Sequence, residues 1–130
     1  AEGARTLLGA RWRHRGRKPW AVDCIGLVLL AARAAGLQVE DTRIRYGREP
    51  LDGALRSELA TRFGAPVDDW SPGDIAVIRW GRGDVLHLGI LGDHPDGLSL
   101  IHVHSLHGVV EHALAGRYLD AVVEVYRWPA

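Results

Sequence analysis

The chain has 130 residues, yet it contains one cysteine (Cys24), one lysine (Lys18), one glutamine (Gln38) and no asparagine. A single thiol excludes an internal disulfide and leaves Cys24 as a buried structural group, an intermolecular partner or a nucleophile. No run approaches the roughly 20 apolar residues that span a bilayer, and the first residues lack the basic-then-apolar pattern of a signal peptide. An excess of one charge is missing as well. The 16 basic and 16 acidic residues cancel, the sequence pI is about 7.3, and nothing favours a nucleic acid as partner. Arg5, Arg11, Arg13, Arg15, Arg17 and Lys18 form a basic stretch without the stacking aromatics of an RNA-binding sheet, and it reads as a solvated face. A hydrophobic content of 47% is enough for one substantial core, so one domain over residues 1–130 is expected.

Helix-type segments come first along the chain and strand-type segments second. Ala1 to Ala10 suits a short helix ending near Gly9. A loop with Gly, Arg and Pro, Arg11 to Ala21, leads into Asp23-Cys24-Ile25-Gly26-Leu27-Val28-Leu29-Leu30, a pattern that continues to Gly36. It is apolar nearly all round, which predicts a buried central helix with Gly36 as its stop. Leu51, Leu55 and Leu59 recur at a four-residue spacing and predict an amphipathic helix. After the turn Ser71-Pro72-Gly73-Asp74 come five short strand-like runs, Ile75 to Trp80, Val85 to Leu91, Leu98 to Ser105, Val109 to Ala113 and Val122 to Trp128. Their short turns predict antiparallel pairing and an α+β layout.

Cys24 falls where the central helix begins, a place where unpaired backbone N–H groups favour a thiolate. Asp23 is placed to cap that helix, and Gly26 lets another backbone or a substrate come close. In Val85-Leu86-His87-Leu88-Gly89-Ile90-Leu91 the two-residue period puts His87 on one face with Gly89, where a missing side chain leaves room for the Cys24 helix terminus or a substrate. His102 and His104 share a face of a later strand, and periodicity does not choose between them. A cysteine–histidine pair needs a third polar group to hold the imidazole. With no asparagine in the chain, that group has to be His, Asp or Glu. A zinc site from Cys24, His87 and His102 or His104 has suitable ligands but no compact zinc spacing, and no metal is assigned. His14, His94, His107 and His112 read as surface residues in loops or at strand ends. The five tryptophans read as packing or groove-lining residues.

In order and spacing, Asp23-Cys24-Ile25-Gly26-Leu27-Val28, His87-Leu88-Gly89-Ile90-Leu91, Ile101-His102 and Gly108-Val109-Val110-Glu111 resemble the motifs of the NlpC/p60 cysteine peptidases. Ile25 stands where the family's first motif has Ser, a variation similar to that of phage and gene-transfer-agent tail members, and the closing hairpin and final strand are phage-like too. The resemblance implies a papain-like NlpC-type fold, with N-terminal helices and a Cys-bearing central helix packed on an antiparallel sheet. It implies Cys24 as nucleophile, His87 as general base and then acid, and His102 as the residue orienting His87, with His104 as the alternative. It implies hydrolysis of peptidoglycan peptide stems at the γ-D-glutamyl to diaminopimelate bond, no cofactor, and tail-hub or baseplate partners in a phage-like particle made in the cytoplasm. Asp23 is then either a receptor for the free α-amine of a stem or a plain helix cap. Trp12 stands where many members carry a substrate-binding or oxyanion-assisting Tyr, and its indole N–H can donate but neither accept nor ionise. A silent tail-hub or wall-binding adaptor and a thiol amidase or acyltransferase acting on another amide are the competing readings.

Overall fold

The computed structural model describes residues 2–42, 52–80, 86–95 and 97–129. Its first helix, α1 (Glu2–Arg5), is shorter than the sequence predicts, and the chain turns through to Gly9, which adopts φ +86°. Ala4 and Leu7 point into the core while Leu8 stays 45% exposed. The segment predicted as a loop carries three two-residue strands, β1 (Arg11–Trp12), β2 (Arg17–Lys18) and β3 (Ala21–Val22), in the order β1-β3-β2. β2 and β3 form a hairpin across Pro19-Trp20, and β1 runs parallel to β3. Such short pairings leave little period for a sequence to show.

The central helix, α2 (Cys24–Ala34), has Asp23 as its N-cap, and Gly36 follows it with φ +88°, a left-handed conformation that glycine adopts without strain. Cys24, Gly26, Leu27, Val28, Leu29, Ala31 and Ala32 are all buried, in keeping with the apolar run. The amphipathic helix, α3 (Asp52–Phe63), buries Leu55 and Leu59; Leu51 lies outside the described residues.

The five predicted strands are β4 (Ile75–Ile78), β5 (His87–His94), β6 (Gly97–His104), β7 (Gly108–Ala113) and β8 (Val122–Tyr126). Val85 and the Gly81-Arg82-Gly83-Asp84 turn are outside the described residues. β4 to β7 form an antiparallel meander, and β8 returns to pair with β4, giving the order β7-β6-β5-β4-β8. One short helix, α4 (Arg117–Asp120), between β7 and β8, has no counterpart in the sequence reading.

Both faces of this sheet are covered, and the alternation along each strand decides which side chains go where. Ile75, Val77, Leu88, Ile90 and Ile101 pack with Leu27, Val28 and Ala31 of α2 and with Leu55 and Leu59 of α3. Ala76, Ile78, Leu91, Leu100 and Val125 form a second cluster on the opposite face, joined by Trp70, Leu98 and Tyr118. The result is an α+β fold with the Cys-bearing helix on one face of an antiparallel sheet.

Candidate active site

The N-terminus of α2 abuts the start of β5, and a cleft of about 940 Å³ opens there. Asp23 and Cys24 line it on one side, and His87, His102 and His104 on the other. Trp12, Trp80 and Leu106 border it. All five residues singled out as site residues in the sequence, Cys24, His87, His102, Asp23 and Trp12, therefore meet in one depression.

Cys24 is the first residue of α2 and is 7% exposed. Burial, followed by the negative charge of Asp23, pushes its thiol pKa up to about 12, while backbone hydrogen bonds from Leu88 and Ile25 and the charge of Arg17 act in the other direction. The Leu88 hydrogen bond puts the sulfur against β5 one residue past His87. At neutral pH the resting site thus holds a thiol, and a thiolate forms only if a neighbouring base accepts the proton.

Asp23 is 3% exposed. Its Oδ1 accepts from Gly26 N at 2.8 Å and from Arg17 Nη1 at 2.9 Å, and its Oδ2 accepts from Arg15 N at 2.9 Å. Arg17 also donates to Gly16 O at 2.9 Å and to both carboxylate oxygens of Asp41 at 2.8 and 3.2 Å. Gly26 has the role its position predicts: a Cβ there would run into the backbone carbonyl of Gly16, so only glycine lets this loop lie on the first turn of the helix.

The two strand histidines left open by periodicity differ in their surroundings. His104, half-buried at the strand end, accepts at Nδ1 from the backbone N–H groups of Leu106 (3.0 Å) and His107 (3.2 Å), and so is occupied in holding the β6–β7 turn. His102 is 5% exposed among rings, with centroids 5.6 Å from Trp80, 5.4 Å from His112 and 6.0 Å from Tyr118. Its Nε2 is buried and has no hydrogen-bond partner among the described residues. Burial first, then the charges of His112, His104, His87 and Arg117, lower the His102 pKa to about 4, which keeps it neutral near pH 7. A neutral imidazole with an unsatisfied nitrogen is the kind of group that a second imidazole can complete.

Two expectations need correction. Gly89 does not open a path for the Cys24 helix: its face of β5 looks away from α2, and a Cβ there would meet Leu100 Cδ1 at 2.8 Å, Ile101 O at 2.9 Å and Ile78 Cδ1 at 3.0 Å. Its smallness serves the second apolar cluster. His112 is not a mere surface residue, because its ring stacks on Tyr118 at 4.3 Å with an interplanar angle of 10° and approaches His102. Burial and nearby positive charge lower its pKa too. The sequence reading put Arg17 on a solvated basic face, whereas its side chain is largely buried against Asp23, and it did not single out Tyr118. Both reach their places through tertiary packing, Arg17 on Asp23 and Asp41 and Tyr118 beside His102. Trp12 and Trp80 line the cleft, Trp128 packs edge-on against Phe63 at 4.7 Å, and Trp20 is 67% exposed.

Among the described residues no group of three or more His, Cys, Asp or Glu is arranged to hold a metal ion, and no helix is long and apolar enough to cross a membrane.

No protein-family model and no curated protein sequence matches this chain. Solved structures do. An NlpC/p60 family protein from Bacillus cereus superposes with a TM-score of 0.63 at 20% identity, over 96% of this chain and 37% of its own length. NlpC1 from Trichomonas vaginalis gives 0.67 at 18% identity, over 98% of this chain and 42% of its own. The NlpC/p60 domain of the peptidoglycan hydrolase SagA gives 0.62 at 17% identity, over 97% of this chain and 93% of that domain. This chain therefore spans about two fifths of the first two proteins and nearly all of the isolated domain. These likenesses establish the class of fold, the papain-like α+β arrangement of NlpC/p60 proteins.

Proposed function

We propose that the chain is a cysteine peptidase of the NlpC/p60 family that hydrolyses peptide stems of bacterial peptidoglycan. The observation that carries this reading is the meeting of Cys24, His87 and His102 in one cleft, at the junction of a helix N-terminus and an antiparallel sheet. It is supported by the fold shared with a peptidoglycan hydrolase domain. In the proposed mechanism the His87 imidazole accepts the Cys24 proton as Sγ attacks the scissile carbonyl carbon. The Cys24 backbone N–H, at the start of α2, is the proposed donor to the developing oxyanion, together with a side chain from the preceding loop. The imidazolium then protonates the leaving amine as the C–N bond breaks, and water, deprotonated by His87, releases the acyl group from sulfur. His102 orients His87, and burial, which raises the Cys24 thiol pKa, favours transfer of its proton to His87 as the attack takes place.

The bond proposed is the one between γ-D-glutamyl and diaminopimelate. The proposed setting is the tail of a phage-like or gene-transfer-agent particle, beside tail-hub or baseplate proteins, acting on the wall during DNA entry. The Ile25 variation and the closing Gly108-Val109-Val110-Glu111 hairpin support it. A second reading, a silent wall-binding or tail-hub module, is favoured by one observation, the depth and high pKa of the thiol.

The deciding experiment incubates diaminopimelate-type peptidoglycan with the wild-type chain, Cys24→Ala and His87→Ala, and identifies released muropeptides by mass spectrometry. Wild-type cleavage at the glutamyl bond, abolished in both variants, is the expected result. Cleavage at another amide would indicate a different thiol amidase, and identical inert profiles for all three would support the silent module.

A further inference from the structure

The proposed peptidase has its only cleft-lining carboxylate, among the described residues, at Asp23. The rest of the lining is the Cys24 thiol, imidazole, indole, Val103, Ser105 and Leu106. An ammonium group entering beside the nucleophile would have to find its counter-ion at Asp23. That carboxylate already accepts three hydrogen bonds, two from backbone N–H groups and one from the Arg17 guanidinium, with the Arg17 Nη1 to Oδ1 distance at 2.9 Å. Arg17 is itself anchored by Gly16 O and Asp41, so a competing cation would have to break a guanidinium clamp held at three points. An ammonium that left the clamp in place would lose its hydration and face an already neutralised charge. A peptide segment whose corresponding nitrogen is an amide bears neither penalty.

We infer that Arg17 fills the cation position of Asp23 from within the chain, and that the cleft therefore selects peptide segments blocked by an amide at the end nearest Asp23 over segments carrying a free α-ammonium there. Within the proposed function, on which this inference rests, the preferred substrate is a stem still joined to its glycan strand. Asp23 caps α2 and anchors Arg17, and Arg17 is a specificity-determining residue.

The test uses two synthetic stem peptides identical except that the first α-amine is free in one and acetylated in the other. For the wild-type chain, kcat/KM on the acetylated peptide exceeds that on the free amine by about tenfold. In Arg17→Gln the ratio moves toward the free amine by about tenfold, and Arg17→Lys retains the wild-type ratio. Equal wild-type values, or any wild-type preference for the free amine, overturn the inference, as does an Arg17→Gln ratio unchanged in a folded protein. Because the wild-type comparison needs no variant, a poorly folding Arg17→Gln protein leaves it decisive. Binding of the same peptides to Cys24→Ala, measured by calorimetry, separates this inference from the peptidase reading. If the wild type cuts neither peptide, the peptidase reading fails. Tighter binding of the acetylated peptide would still uphold the selectivity, whereas equal binding, tighter binding of the free amine, or no binding would overturn it.

Discussion

The two walls of the cleft are built by opposite means. On the Cys24 wall a short hairpin is fastened to a helix terminus by ions and hydrogen bonds, and every oxygen of Asp23 has a donor. On the histidine wall Trp80, His102, His112 and Tyr118 lean on one another as rings, and the innermost nitrogen, His102 Nε2, is left without a partner among the described residues. One wall has its carboxylate saturated; the other holds one unmet hydrogen bond among the described residues. The comparison teaches that the proposed nucleophile is fixed by its backbone setting, whereas the proposed base is set by the polarity and shape of its surroundings.

The largest expected effect breaks the histidine wall at its unmet nitrogen. His102→Leu should lower kcat by about a thousandfold with KM little changed, since the orienting role proposed for His102 acts mainly in the transition state. Steady-state kinetics on a muropeptide checks this, and a mainly KM effect would assign His102 to substrate binding instead.

Next in size is a pH effect confined to the same wall. Between about pH 6.5 and about pH 4 an imidazole in the unfolded chain binds a proton that buried His102 refuses, so its contribution is complete above pH 6.5 and is lost as the pH falls toward 4. The loss is of the order of 3 kcal/mol. Urea titrations of the wild type should show the decline, and His102→Gln should show a shallower one; parallel declines would remove His102 as the cause.

The saturated wall breaks through sterics. Gly26→Ala gains helix propensity but drives a methyl group into the Gly16 carbonyl, and because that carbonyl belongs to the backbone the net loss of stability should be about 2 kcal/mol. A thermal midpoint at or above that of the wild type would show that the hairpin can lift off α2 freely. The smallest effect is expected at the outer end of the clamp. Asp41 is half exposed, with Arg17 between it and Asp23, and Asp41→Asn should change stability by less than about 1 kcal/mol. A larger loss in chemical denaturation would mean that the clamp depends on its solvent-facing half.

The two walls also differ in how far they could be read from the sequence. The Cys24 wall is largely local: the cap at Asp23, the apolar run of α2, the stop at Gly36 and the close approach at Gly26 all follow from residues near one another in the chain. The histidine wall is assembled from β5, β6, β7 and α4, and its logic is tertiary. Periodicity put His102 and His104 on one face, yet only the backbone N–H groups of the following turn separate their roles. Tyr118 sits on a four-residue helix with no periodic signal, and His112 shows its stacking partner only once β7 lies beside β6. Gly89 was misread for the same reason, since a strand pattern reveals that two faces exist but not which of them meets the helix.

The β6–β7 turn has a bearing on how such a cleft can diverge. His104 fastens its backbone from within, while Leu106 projects from it over the cleft at 84% exposure. The residue at this tip can be exchanged with little effect on folding and a direct effect on what the cleft touches. Within the proposed function, natural variation, or a library built at that one codon, can therefore explore new substrates while the scaffold behind the cleft stays untouched.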